Sequence, residues 1–322
     1  FTIVNEVAIA NQSRKGGCIV VYADHDKLWM DEELRARVRG VGRTRVVVRS
    51  GDPTDPAMLD LVAPEHARAI VVLAPEGASD DTQVVRTLLA VGRTAPAAGR
   101  RQHVVTEIRD PRNLAVARMT GERRIEVLEV GDLIAKIAVQ TCLQSGLSVV
   151  YEELLGFLGD EIYFIDAGPL VGHSFARALH QFEDCTLLGL CGVDGRVQLR
   201  PAMDRVIAAG ERLILIAADD DRCIVRPWSG AIDEANIVTA GPGARSPKRT
   251  LILGWNARIP AIVRGIDAYV ASGSTLLVVS PDPVAGPALT ELASGLRNLE
   301  VVHRIGDFSD RRVLDELEPR TW

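Results

Sequence analysis

Carboxylates are the side chains whose type and spacing offer this chain chemistry. They gather in turns that follow apolar runs: Asp24 and Asp26, Asp52 and Asp55, Glu76 with Asp80 and Asp81, Glu107 with Asp110, and Asp219 to Asp221. An acid at the end of a strand can hold the ribose of a dinucleotide, provided a glycine-rich turn brings a helix N-terminus to the pyrophosphate. Acids converging from several strand ends can supply the roughly six to eight oxygens that Ca²⁺ takes. Asp24, Asp26, Asp52, Glu76 and Glu107 are therefore the candidate ligand-binding residues, and Asp24, Asp52 and Glu107 the candidate metal ligands. A plainer reading stands beside each: a strand-end turn, a helix cap, a solvated rim, or a partner for Arg49 or Arg109. None of these loops has EF-hand spacing.

No catalytic constellation accompanies the acids. The six histidines are scattered at 25, 66, 103, 173, 180 and 303, without HExxH, and neither a GxSxG elbow nor a P-loop occurs. His173 follows Gly172 at a helix entry, where capping or packing suits it better than general-base work. The five cysteines (18, 142, 185, 191 and 223) form no CxxC pair and are expected to be buried free thiols. A net charge of −6 with dispersed basic residues gives no footprint for nucleic acid. No uninterrupted apolar run reaches the roughly 18 residues that a bilayer requires.

The elements that must position the acids come from a repeat. Residues 46–62, VVVRSGDPTDPAMLDLV, recur as residues 301–317, VVHRIGDFSDRRVLDEL. Arg49, Gly51, Asp52, Asp55, Leu59 and Asp60 match Arg304, Gly306, Asp307, Asp310, Leu314 and Asp315. Each copy reads as a buried strand, a Gly-Asp turn and a helix, with Asp55 and Asp310 placed to cap it. Upstream, CIVVYADHD (18–26) matches TLLVVSPDP (275–283), and FTIVNEVAIAN (1–11) matches PAIVRGIDAYV (260–270). In the second copy a strand and turn, TLILGWN (250–256), precede that helix; the equivalent strand of the first copy would lie before Phe1. The chain is accordingly expected to be a piece of a longer protein.

At 322 residues there is room for two or three cores. Strands at 18–23, 45–49, 67–74, 103–108 and 125–130 alternate with helices at 1–11, 31–38, 56–62, 80–91 and 111–119, the pattern of a doubly wound parallel sheet. The near-continuous apolar run ARAIVVLA (67–74) is what a parallel strand buried on both faces requires. Helices at 132–147 and 152–158 follow. Short strands at EIYFID, CTLLGLC, RVQLR and RLILIAA, with a helix at 174–182 and a GVDG turn, then make a small α+β module. The expected domains are a first doubly wound lobe (1–130), crossover helices (131–158), the small module (159–221), a linker (222–249) and the start of a second doubly wound lobe (250–322).

This order resembles the tandem Rossmann-like domains that regulate potassium conductance, the RCK domains. The small module is similar to the C-terminal, TrkA-C-like subdomain of potassium-uptake regulators. The stretch that carries this likeness is IDAGPLVGHSFARALHQFEDCTLLGLCGVDGRVQLRPAMDRVIAAGERLILIA. Gly254-Trp255-Asn256 after a strand, and FTIVNEVAIAN in the helix at the start of the chain, resemble the CASTOR/POLLUX group of ion channels. The resemblance covers essentially the whole chain. It implies the cytoplasmic gating portion of a plasma- or inner-membrane cation channel, with a transmembrane pore domain N-terminal to it. It also implies a tetrameric ring of such chains and regulation by Ca²⁺ or another small ligand.

The second lobe argues against NAD(H) or another nucleotide, because Trp255 stands where backbone should approach phosphate and Pro281 replaces the ribose acid. A nucleotide-binding regulatory subunit of a potassium-uptake transporter fits the fold equally well. A nicotinamide-dependent oxidoreductase would need a glycine fingerprint and a catalytic donor, and the second copy offers neither. The amphipathic stretch 132–157 carries Leu133, Ile134, Ile137, Ala138, Leu147, Leu154, Leu155 and Phe157, more apolar surface than one small lobe needs. A homodimer through these crossover helices is expected, with Leu133, Ile134, Ile137, Leu154 and Phe157 in its interface.

Overall fold

The computed structural model describes residues 1–12, 16–75, 81–94, 102–119, 125–226, 230 and 246–318. Two compact units emerge. One comprises Phe1–Ile19, Glu32–Val46 and Gly146–Ala240; the other comprises Val20–Asp31, Val47–Ser145 and Gly241–Trp322. The division passes through elements of the first lobe, so the compact units do not run in sequence order.

The first lobe opens with α1 (Thr2–Ala10), β1 (Cys18–Ala23), α2 (Lys27–Arg37) and β2 (Arg45–Ser50). The strands β1 and β2 pair with each other. Arg45 N–H donates to Gly17 O at 2.9 Å and Gly51 N–H to Ala23 O at 3.1 Å. Both bonds join residues at the same offset, so the strands run in one direction. The helix α2 starts earlier than the charged run 31–38, because the Asp26 carboxylate accepts the Trp29 N–H at 2.8 Å and supplies a first-turn cap.

After β2 come α3 (Pro56–Leu59), β3 (Ala69–Val72), α4 (Thr82–Gly92), β4 (His103–Ile108), α5 (Leu114–Met119) and β5 (Ile125–Glu129). A parallel sheet has the order β3-β4-β5. Leu59, Val72, Val84, Leu88, Val104, Ile108 and Ala117 form one core beneath it. The expectation for β3 is corrected here. It lies at the edge of its sheet, and Val71 and Leu73 are 45% and 56% exposed, so the apolar run is covered on one face only.

The crossover consists of α6 (Val130–Leu143) and α7 (Leu147–Leu155). The break falls before the expected end at 147, because Gln144 turns extended and Gly146 adopts a φ of 86°. That left-handed conformation is open to glycine at no steric cost.

The small module has β6 (Glu161–Asp166), α8 (Phe175–Leu179), β7 (Thr186–Cys191), β8 (Val197–Leu199) and β9 (Arg212–Ala217). Its antiparallel sheet has the order β6-β9-β7-β8. The Ser174 hydroxyl accepts the Arg177 N–H at 3.3 Å and caps α8. Phe175, Ala178, Leu187, Leu190, Leu213 and Leu215 fill the core. Gly189 sits where a Cβ would come within 2.3 Å of Gln198 O, so only glycine lets β8 pair there.

The second lobe has β10 (Arg249–Leu253), α9 (Ile259–Tyr269), β11 (Ser274–Val279), α10 (Ala285–Ala293), β12 (Leu299–Arg304) and α11 (Arg311–Glu316). Its parallel order is β10-β11-β12. The repeat is thus a structural one: β11 and β12 correspond to β1 and β2, and α11 to α3. Val139 of α6 completes this lobe's core with Ile259, Val263, Ile266, Leu276 and Val278. The crossover helix therefore packs within the same compact unit as α9.

All five cysteines are free, but only Cys191 and Cys223 are buried; Cys185 is half-buried, and Cys18 and Cys142 are exposed. The expectation of uniform burial is corrected by position. Cys18 is the first residue of β1, and Cys142 lies on an exposed side of the last turn of α6.

Candidate functional site

The strand-end acids of the first lobe surround Tyr22. This residue lies on β1, and its hydroxyl donates long bonds to the backbone carbonyls of Asp52 and Met58, at 3.3 and 3.4 Å. Gly51 makes room for the ring, since a Cβ there would lie 2.4 Å from the phenol oxygen. Burial raises the pKa of Tyr22 above its ordinary value, and the negative charges of Asp52, Asp55 and Asp24 add to the effect. The structure thus brings Asp24, Asp52 and Asp55 into one electrostatic neighbourhood. Glu107 lies on β4, partly buried, 3.8 Å from the Arg109 guanidinium. Glu76 lies outside the described residues, as does Asp80. Among the described residues no group of three or more His, Cys, Asp or Glu side chains is arranged to hold a metal ion.

Asp52 has a clear local role. Its carboxylate accepts the Thr54 N–H and the Thr54 hydroxyl, both at 2.8 Å. Those two bonds hold its pKa below the usual carboxylate value. Three residues on, the Asp55 carboxylate accepts the Ala57 N–H at 2.9 Å and caps α3. The second copy repeats both bonds. Asp307 accepts from the Ser309 N–H (2.9 Å) and hydroxyl (2.6 Å), and Asp310 caps α11 through the Arg312 N–H at 2.9 Å. Conformation explains the repeated GDxxD spacing: the first Asp makes the turn, the second starts the helix. Asp24 and Asp26 are exposed; Asp26 is engaged in capping α2.

Sequence reasoning grouped Asp81 with other acids and missed its work. It is buried, and its carboxylate accepts the Arg109 and Asp110 N–H groups, each at 3.0 Å, and the Asn113 side-chain amide at 2.9 Å. Burial pushes its pKa up, but the bonds from Asn113, Arg109 and Asp110 outweigh this and leave it lowered. Asp81 thereby fixes the turn that follows β4, directly after Glu107. In the second lobe the buried Asp267, on α9, does similar work: its carboxylate accepts the N–H groups of Arg297, Asn298 and Leu299 at 3.0, 2.7 and 2.9 Å. Burial beside a loop was the signal for both, and burial at a single acid has no sequence period.

In the second lobe, Gly254 has a φ of 103°, and its Cβ position lies 3.5 Å from the Phe308 ring. Trp255 packs against the lobe's core. At the end of β11 the Asp282 carboxylate accepts the Val284 N–H at 2.9 Å. An aromatic ring thus stands against the glycine turn where a Rossmann lobe would take a pyrophosphate.

The expected interface residues separate into two groups. On α6, Ala135 and Val139 are buried, whereas Leu133 and Ile134 are 48% and 40% exposed and Ile137 is half-buried. In the other compact unit, Leu154 is half-buried, while Phe157 and its neighbours Leu155 and Leu158 are exposed. Among the described residues no helix is long and apolar enough to cross a membrane.

Comparison with known proteins places this architecture. The model of a family described as Castor and Pollux, part of voltage-gated ion channel, matches residues 131–231, which cover the crossover helices and the small module. The chain is 32% identical to "Probable ion channel CASTOR" of Oryza sativa subsp. japonica, over 98% of this chain and 36% of the relative. It is 31% identical to "Probable ion channel POLLUX" of Arabidopsis thaliana, over 100% of this chain and 40% of the relative. The chain therefore spans well under half the length of these curated relatives. The solved human SLO3 gating ring superposes with a TM-score of 0.56 at 14% identity, covering 89% of this chain and 59% of that one. That likeness concerns the fold alone, α/β lobes of the Rossmann-like kind. Over its full length the chain is similar to the CASTOR/POLLUX ion channels, and residues 131–231 match the Castor and Pollux family model.

Proposed function

We propose that this chain is the ligand-sensing, gating portion of a CASTOR/POLLUX-like cation channel and has no enzymatic activity of its own. The observation that carries this reading is similarity along the entire chain to proteins named as ion channels, through both lobes and the small module. The duplicated lobes supply the mechanics. The packing of α6 on α9 couples the crossover helix to the second lobe. A ligand that favours one arrangement of these elements shifts the gate in proportion to its differential affinity; equal affinity for both arrangements shifts nothing.

The ligand we propose is Ca²⁺ or another small cation at the strand ends of the first lobe. The carboxylates of Asp24 and Asp52 act on Tyr22 there. Glu107, near the end of β4, and Glu76, which follows β3 in sequence, are the further candidates. The Phe308 ring against Gly254 speaks against a nucleotide in the second lobe. In the full-length protein the chain would lie on the cytoplasmic side of a membrane pore. It would assemble as a homo-oligomer, a dimer through the crossover helices within a tetrameric ring. The exposed Leu133 and Ile134 on α6, and Phe157 after α7, are the side chains offered for that contact.

Thermal unfolding with Ca²⁺, Mg²⁺, NAD(H), ATP or no addition tests the ligand. A ligand that binds only the native state raises the midpoint. A rise specific to Ca²⁺ that disappears in Asp24→Asn supports the site. A rise with NAD(H) alone favours a nucleotide, and no shift with any addition removes the ligand from the first lobe. Sedimentation of Leu133→Ser/Ile134→Ser tests the assembly; an unchanged oligomer would contradict it.

A further inference from the structure

The small module holds a sulfur pair that the gating reading does not use. Cys185 lies just before β7, and Cys223 just after the short turn 220–222 that follows β9. The two thiols lie close enough for each to bear on the other's ionisation. Cys223 is buried in the module's core with Phe175, Leu187, Leu213 and Leu215, and Cys185 packs against the same cluster. The two segments are also joined independently of sulfur. Arg226 N–H donates to Gln181 O at 2.8 Å, and the Arg226 guanidinium pairs with Glu183 and with Asp184. The segment bearing Cys223 is thus held against the one bearing Cys185, and through it the chain leaves the module. The remaining cysteines stand apart: Cys191 is occupied by the Arg212 guanidinium at 3.5 Å, and Cys18 and Cys142 are exposed on other elements.

We propose that Cys185 and Cys223 form a reversible disulfide site, closed by exchange with a small disulfide of the glutathione type, which fixes the exit segment of the small module to the start of β7. The half-buried Cys185 reacts first. Its thiolate, having given its proton to solvent, attacks one sulfur of the small disulfide and expels the other as a thiolate. The Cys223 thiolate then attacks the Cys185 sulfur of the mixed disulfide and expels the second small thiolate. In sum, two protein thiols are oxidised to a disulfide and one small disulfide is reduced to two thiols. The two segments are already held together through Arg226, so closure asks only that the sulfurs approach to the bond length of about 2.05 Å. Burial, reinforced by the neighbouring Cys223, pushes the Cys185 thiol up to about 11, so closure is slow at neutral pH and faster in alkali.

The test uses the folded full chain with oxidised glutathione at pH 7, 8 and 9, followed by alkylation and non-reducing peptide mass spectrometry. The expected product is a peptide pair linked through Cys185 and Cys223. It should form about tenfold faster per pH unit, as the thiolate fraction rises. The thermal midpoint should rise on closure, because the cross-link restricts the unfolded chain, and return with dithiothreitol. Cys223→Ala should stop the reaction at a glutathione adduct on Cys185. Cys185→Ala should leave Cys223 unmodified. Adducts confined to Cys18 and Cys142, with Cys185 and Cys223 still alkylated as free thiols at every pH, would overturn the proposal. The readout is thiol chemistry, so it stands or falls apart from the channel assignment.

Discussion

Replacing Val139 and Gly265, singly and together, tests whether α6 is anchored on α9. Val139 is 2% exposed, in the core of the second lobe. Truncation to Ala removes two buried methyl-sized groups at about 0.8 kcal/mol each, and a residual cavity brings the loss to roughly 2–3 kcal/mol. Gly265 faces it, and a Cβ there would lie 2.8 Å from Val139 Cγ2. Carbon atoms in contact prefer about 3.5–4.0 Å. Valine, stiff at χ1, cannot swing away. Gly265→Ala gains about 1 kcal/mol of helix propensity but incurs about 1–3 kcal/mol of overpacking, so a net loss near 1 kcal/mol is expected. In the Val139→Ala background the opposing methyl is gone, and the same substitution becomes stabilising. The double variant should therefore lose about 2 kcal/mol less than the sum of the two single losses. Urea denaturation followed by far-UV circular dichroism measures all four proteins, and hydrogen exchange of the α9 amides localises the effect. Additivity within about 0.3 kcal/mol, or a Val139→Ala loss no larger than that of the exposed Leu133→Ala, would refute the anchoring.

Three further outcomes follow from buried turns. Asp81→Ala strips the acceptor from three donors and should cost about 3 kcal/mol in the same denaturation assay. Its folded pKa is lowered, so the stabilisation is fully present above the unfolded value near about 4 and is lost as pH falls toward the folded value. The gap between wild type and Asp81→Asn should narrow over that acid range and stay constant at neutral pH. Asp267→Ala should likewise cost about 3 kcal/mol, and Asp267→Asn less, because one amide oxygen still accepts from the 297–299 loop. Gly51→Ala should lose about 1–2 kcal/mol against the Tyr22 phenol, and Tyr22→Phe should restore part of it, read from the urea midpoints.

The sequence made the fold legible wherever a period or a repeat was at work. The duplicated GDxxD turn announced itself through identical residues, and the structure reproduces both copies bond for bond. The parallel lobes and the antiparallel module followed from strand and helix spacing. Burial beyond the local pattern was harder to read. An apolar run such as 67–74 looks the same whether a second layer covers it or not, and β3 turned out to be an edge strand. The end of α6 depended on one left-handed glycine. The acids were legible as a class but not in their roles. Asp52, Asp26 and Asp81 each satisfy backbone N–H groups, and that task is set by turn geometry rather than by residue type.

The most direct test of the gating assignment is a current recording from the full-length protein that carries this chain, reconstituted in a planar lipid bilayer. Ca²⁺ would be titrated on the side of the membrane facing the two lobes. The account predicts a cation current whose open probability changes with Ca²⁺, and a shifted concentration dependence in Asp24→Asn. A bilayer without current, or a current indifferent to every small ligand applied to that face, would contradict it.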